Sequence, residues 1–345
     1  MSVAEESEET GTVDKFCASC GKSELDDVKL MECDDCKSVR YCRDDTCKED
    51  HRSQHEAECK DRAADLRDEI LFRQPESTHR GDCPICCVPL PLEDEKVTSY
   101  SCCSKLACKG CLYADSARQH RENIQVQTCP FCRYPLPKTQ EDGDKIMMKR
   151  VEANDPFALR QMGLRHYLKD EDDKAFDYLT KAAELGDVEA HYNLSIMYRK
   201  GLGVEKDAKK EWYHAEEAAI AGHPMARHNL GAYEWRNNKN SDRAVKHWII
   251  AANLGEDESL KELKECYKDG LVSKEVFAVA LRGHHAAVNA TKSENRESAS
   301  EAMKWQKETT SLIDVLSCFR YKNLLGWKLC FNRVKGSSIE ILRKC

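Results

Sequence analysis

Cysteines separated by two residues recur through the first third of the chain: Cys17 and Cys20, Cys33 and Cys36, Cys83 and Cys86, Cys108 and Cys111, Cys129 and Cys132. Single cysteines at 42, 47, 59, 87, 102 and 103 lie among them, and His55 stands four residues before Cys59. A C-x-x-C turn brings two sulfurs to one side of a tight knuckle, which is half of a tetrahedral zinc site. The first residues, MSVAEESEETGTVDKF, are acidic and lack the apolar core of a secretory signal. The chain is therefore expected in a reducing, intracellular compartment, cytoplasmic or nuclear. There, paired cysteines bind metal rather than form disulfides.

The order C-x-x-C, C-x-x-C, YC, C and H-x-x-x-C over residues 17–59 resembles a MYND finger. The resemblance implies two interleaved zinc sites, one held by Cys17, Cys20, Cys42 and Cys47, the other by Cys33, Cys36, His55 and Cys59. His55 and Cys59 share a helical face at i and i+4, which favours His55 over its competitor His51. Four residues separate Cys42 from Cys47, where the family usually has three. The resemblance also implies a peptide-binding module with a taste for proline-containing segments.

Eight further cysteines resemble a RING finger over residues 83–133, with Lys105 where the histidine usually stands. The resemblance implies a cross-brace with Cys83, Cys86, Cys108 and Cys111 at one zinc. Cys129 and Cys132 at the other need two more ligands. A lysine must lose a proton of pKa about 10.4 before it can ligate, so Cys102 and Cys103 are assigned instead. Adjacent side chains of a strand point to opposite faces, so both can bind only if the backbone bends at 102–103. The alternative is one of them with water or another side chain. Four zinc ions per chain are expected, or about three if this last site falls short. Lys105, Lys109 and Arg133 are placed to screen the thiolate charge or simply to be exposed, and Cys87 is expected to be a small packed residue. Ile85, Pro130 and Arg133 occupy the positions at which RING fingers touch a ubiquitin-conjugating enzyme.

These clusters need elements to hold them. Past residue 151 the cysteines thin out and AFDYLTKAAELGD, EWYHAEEAAIAGH and AVKHWIIAANLGE recur, with Gly186, Gly222 and Gly255 at spacings of 36 and 33 residues. This is the period of stacked helix pairs. Paired alanines at 182–183, 218–219 and 251–252 let helices approach, Leu194, Tyr198 and Trp248 fill the layers, and the glycines cap helix ends. The repeats and the turn YRKGLGVEKDAKKEW resemble Sel-one-like repeats, related to tetratricopeptide repeats. His191, His214, His228 and His247 have no spacing that gives them a shared site.

The expected class is mainly α: two small cross-brace zinc modules followed by an α-solenoid. The expected layout is an acidic tail at 1–15, MYND-type finger at 16–60, helical linker at 61–80, RING-like finger at 81–136, linker at 137–150, repeats at 151–292 and a charged, then basic, poorly defined tail at 293–345. The tail's Cys318, Cys330 and Cys345 lack ligand spacing. With 33% charged residues, a net charge of −7 and no run of eighteen apolar residues, the chain has neither a membrane span nor a global basic footprint for nucleic acid. No nucleophile–base pair or phosphate loop is evident. The expected function is an adaptor whose repeats bind a client and whose first finger binds a peptide. The alternative is a RING-type ubiquitin ligase whose repeats choose the substrate.

Overall fold

The computed structural model describes residues 17–20, 29–37, 39–42 and 45–304, with backbone alone for 45–54 and 57. The acidic tail at 1–15, the side chains of Cys47 and His51, and Cys318, Cys330 and Cys345 lie outside the described residues. Two strands, β1 (Met31–Glu32) and β2 (Arg40–Tyr41), form an antiparallel ribbon followed by the 27-residue helix α1 (Asp45–Leu71). A second ribbon, β3 (Val97–Ser99) with β4 (Leu106–Cys108), leads into α2 (Lys109–Arg121). Helices then follow almost without break: α3 (Gln140–Glu152), α4 (Pro156–Tyr167), α5 (Asp172–Glu184), α6 (Val188–Lys200), α7 (Ala208–Ile220), α8 (Pro224–Tyr233), α9 (Ser241–Asn253), α10 (Asp257–Lys268) and α11 (Lys274–Ala290). The protein is mainly α, with a solenoid of helix pairs behind a cysteine-rich amino-terminal part.

The recurrent sequence A-A-x-x-G-x builds each junction between helices. Gly186, Gly222 and Gly255 adopt φ of 85°, 83° and 90°, a left-handed conformation that glycine enters without a Cβ clash. Their amides donate to Ala183, Ala219 and Ala252, and the next amides donate to Ala182, Ala218 and Ala251. These bonds satisfy the last carbonyls of α5, α7 and α9. The residue after each glycine then caps the next helix: Asp187 accepts from the Ala190 amide, His223 from Ala226 and Glu256 from Ser259. Asn154–Asp155 repeats the device before α4, with Asn154 at φ 54° in place of glycine.

The paired alanines are buried where the helices touch, and Leu194, Tyr198 and Trp248 fill the layers. Gly163 and Gly231 extend the close approach, since a Cβ there would meet Leu179 Cγ at 2.8 Å or Trp248 Nε1 at 2.7 Å.

Residues 61–80 are docked instead of linking freely. Leu71, at the end of α1, is fully buried in the solenoid core with Ala215, Ala218, Ala219, Ala226 and Leu230. Arg67 binds Glu216 and Glu217, and Arg243 binds Asp68. Arg227, itself fully buried, donates to the Leu71 and Ala219 carbonyls. Beyond Leu71 the His79 amide donates to the Gly222 carbonyl at 3.0 Å.

Most of the expected linker 137–150 is the helix α3, capped by Thr139. Residues 294–304, expected to belong to a poorly defined tail, are helical, with Arg296 and Ala299 buried; 305–345 lie outside the described residues. Apolar periodicity is weak in all three segments, which hid their packing.

Candidate metal centres

Four of the turns that carry the cysteines share one backbone device. In each, an amide donates four residues back and its own residue takes positive φ: Lys37 to Cys33, Cys87 to Cys83, Ser104 to Tyr100 and Arg133 to Cys129, with φ of 55°, 52°, 57° and 58°. The loop curls so that successive amides face the sulfurs. Cys87 therefore owes its place to the turn. It is exposed and belongs to none of the ligand clusters, contrary to the expectation of a packed residue.

The same device resolves the adjacency of Cys102 and Cys103. Tyr100 takes the place of the first cysteine of a knuckle, and residues 101–103 form the turn. In such a helical turn neighbouring side chains diverge by about 100° instead of the 180° of a strand, so both sulfurs reach the same side. Cys132 Sγ lies 3.3 Å from Cys102 Sγ, and Cys103 Sγ lies 3.7 Å from Cys129 Sγ.

Four clusters of ligand atoms, each within 4.8 Å of one another, result: Cys83, Cys86, Cys108 and Cys111; Cys102, Cys103, Cys129 and Cys132; Cys33, Cys36, His55 and Cys59; and Cys17, Cys20 and Cys42. Two thiolates on one tetrahedral zinc stand about 3.8 Å apart, given Zn–S of about 2.3 Å. Cys83 and Cys111 are separated by 3.9 Å, as are Cys86 and Cys108. Cys33 and Cys59 lie 3.6 Å apart, and Cys20 and Cys42 3.9 Å. His55 turns Nε2 toward Cys36 Sγ at 3.1 Å, with His55 and Cys59 both on α1.

The electrostatics suit a divalent cation. Burial pushes the Cys59 thiol up to about 12, reinforced by hydrogen bonds with Cys33 and Cys36. Burial also acts against ionisation of Cys17 and Cys83. The amides of Cys20, Cys42 and Ser19 outweigh it at Cys17, bringing that thiol to about 6. Those of Cys108, Cys86 and Ile85 bring Cys83 to about 7. Crowded sulfurs of which some ionise readily while neighbours resist are reconciled by a cation that binds them all as thiolates. The donor sets therefore fit zinc.

A fifth cluster, His79, Glu189 and His223, was not anticipated from the sequence, because its members lie 110 and 34 residues apart. Its chemistry is that of a clasp. His223 Nδ1 accepts the Ala226 amide at 3.1 Å, so its proton sits on Nε2, which faces Glu189 at 3.6 Å and has no lone pair for a metal. His79 Nε2 lies 2.8 Å and the Arg80 guanidinium 3.2 Å from Glu189 Oε1. Burial opposes the charge on Glu189, yet hydrogen bonds from His223 and His79 hold its carboxyl far below the usual range. Burial lowers the pKa of His223. Arg80 also holds Pro91 O at 3.2 Å and Asp94 at 2.5 Å, so the clasp ties the second cysteine-rich module to α6 and α8. Ser104 Oγ bonds Asp155 at 2.8 Å and receives Arg150 Nε at 2.7 Å, a second tie at the solenoid's first helix cap.

Of the four repeat histidines, His191 and His214 meet through their Nδ1 atoms at 3.0 Å. The spacing had not indicated this contact. No third metal-binding side chain joins them among the described residues. Lys105 lies over the Phe131 ring at 5.3 Å. Ile85, Pro130 and Arg133 are all exposed.

Comparison with solved structures finds partial likenesses. A Sel1 repeat protein from Oxalobacter formigenes is 20% identical, with TM-score 0.38, over 49% of this chain and 77% of that one. A protective antigen of uropathogenic Escherichia coli strains displaying an SLR fold is 20% identical, with TM-score 0.35, over 48% and 37%. An immunity protein from Pseudomonas aeruginosa is 16% identical, with TM-score 0.26, over 51% and 80%. Among family models, the MYND finger matches residues 17–59 and the Sel1 repeat matches 157–187, 188–223 and 224–256. The chain thus carries a zinc-binding MYND finger and a set of Sel1 repeats, both protein-interaction modules.

Proposed function

We propose that the protein is a zinc-dependent adaptor that presents a peptide-binding finger in fixed geometry beside a solenoid that holds a client. The carrying observation is α1. One helix contributes His55 and Cys59 to a metal cluster and buries Leu71 in the solenoid core. At about 1.5 Å per residue, it acts as a rigid strut, where a free linker would let the two surfaces move independently. Four zinc ions are assigned, one to each cysteine cluster, with Cys47 completing the set of Cys17, Cys20 and Cys42. Zinc supplies the cross-links that small modules with little apolar core lack. A site saturated by four protein ligands leaves no position for a substrate, which supports binding over metal catalysis.

The test is fluorescence anisotropy with a library of proline-containing peptides against the zinc-loaded full chain. Binding that is lost in Cys36→Ser and kept in Cys132→Ser supports the reading. Absence of binding across the library refutes the peptide assignment.

A second reading, a RING-type ubiquitin ligase, is favoured by the joint exposure of Ile85, Pro130 and Arg133 on the second module. These side chains are free to meet a conjugating enzyme. Autoubiquitination with a panel of conjugating enzymes, lost in Ile85→Ala and Arg133→Ala at unchanged zinc content, would establish it. Silence across the panel would leave the scaffold.

A further inference from the structure

Arg296 belongs to none of the modules above, yet it is 8% exposed and reaches across 210 positions to the second cysteine-rich module. One guanidinium nitrogen donates to Pro89 O at 2.6 Å and Thr291 O at 2.7 Å. The other donates to Val88 O at 3.0 Å and lies 3.5 Å from Cys86 Sγ. The fork also faces the Cys108 sulfur. The backbone approach is equally close. A Cβ on Gly110, between the ligands Cys108 and Cys111, would stand 2.8 Å from Arg296 N and 2.9 Å from its Cα. Ala299 is buried one turn on, and Ser300 Oγ donates to Arg296 O at 2.8 Å.

We propose that Arg296 is the outer-sphere partner of the metal held by Cys83, Cys86, Cys108 and Cys111, and that residues 294–304 are a latch whose seating depends on that metal. The proposal rests on reading those four cysteines as a zinc site. Zinc with four thiolates carries two net negative charges, and surroundings in which Cys83, Cys108 and Cys111 are buried screen them poorly. A guanidinium against two of the sulfurs offsets that charge. Its planar fork binds the knuckle carbonyls at the same time, which a lysine's single ammonium cannot do. Outer-shell partners orient and retain metal ligands in this way. The dependence is reciprocal. Removing the metal frees the four sulfurs from a common centre, loosens the knuckle whose Val88 and Pro89 carbonyls Arg296 holds, and releases the segment from the finger.

The experiment is pulsed alkylation with N-ethylmaleimide, read cysteine by cysteine by mass spectrometry on the zinc-loaded full chain. Arg296→Gln should speed labelling of Cys83, Cys86, Cys108 and Cys111 on the order of 10–100-fold, with Cys102, Cys103, Cys129 and Cys132 as slow as in the parent. Arg296→Lys, which keeps the charge and the fold more gently, should lie between. In the parent, a zinc chelator should speed hydrogen exchange across 294–304. Parent-like labelling in both variants overturns the proposal, as does equal acceleration of both cysteine sets, which would mark Arg296 as a general packing residue. If the parent's Cys83 set labels equally with and without chelator, the metal reading fails and takes the proposal with it. If zinc protects the set but Arg296→Gln changes nothing, the proposal alone fails.

Discussion

Replacing Leu71 by alanine isolates the strut from the metal it carries. Leu71 is wholly buried against Ala215, Ala218, Ala219, Ala226 and Leu230, with Phe72 and Trp212 alongside. These small neighbours sit on helices whose spacing is fixed by other contacts, so the vacated volume cannot close fully. A leucine-to-alanine change in such a site costs about 2–5 kcal/mol, and with every 1.4 kcal/mol worth about tenfold, local opening should become roughly 30- to 4,000-fold more frequent. The assay is native-state hydrogen exchange on the zinc-loaded full chain. Protection should fall over 60–71 and in α7 and α8, while β1, β2 and the His55–Cys59 turn of α1 keep theirs, since metal ligands hold them independently. Unchanged exchange at 60–71 would refute the docking of α1. Equal loss in the finger and the solenoid would refute the separation between metal-held and core-held halves.

Acid sensitivity offers a further check. Burial, with Arg227 and Arg243 nearby, lowers His247 to about 3, so the folded state refuses a proton that the unfolded chain accepts below about 6.5. Stability is complete above that value and is lost as pH falls from it toward 3, by up to about 1.4 kcal/mol per pH unit. His247→Phe, which keeps a ring against Phe72, should flatten the urea midpoint between pH 7 and 5 relative to the parent; parallel curves would contradict this. Native mass spectrometry should find four zinc ions per chain and three in either Cys102→Ser or Cys103→Ser. A parent count that survives one of these substitutions would show that residue to be outside the site. Cys87, exposed and outside every cluster, should be the fastest of the described cysteines to alkylate in zinc-loaded protein, and slow labelling would mean that it is covered.

Spacing alone determined the features that repeat. A C-x-x-C knuckle and a helix-ending glycine are local devices, complete within five or six residues, so their chemistry is written in adjacent letters. The C-x-x-C pairs at 33 and 36 and at 83 and 86 were readable for that reason, as were the left-handed glycines at 186, 222 and 255, whereas which distant pairs share a centre was implied by the resemblance to known fingers. The tertiary structure decided what depends on approach between distant segments. It turned the chain at 100–104 so that two adjacent cysteines face one centre. It drove α1 into the solenoid through Leu71 and Arg227, and it joined His79, Glu189 and His223. It also carried Arg296 back to Cys86 from a stretch that reads as charged tail. A buried arginine or a histidine–carboxylate clasp leaves no periodic trace, because its energy comes from desolvation and hydrogen bonds made only when surfaces far apart in the chain have met.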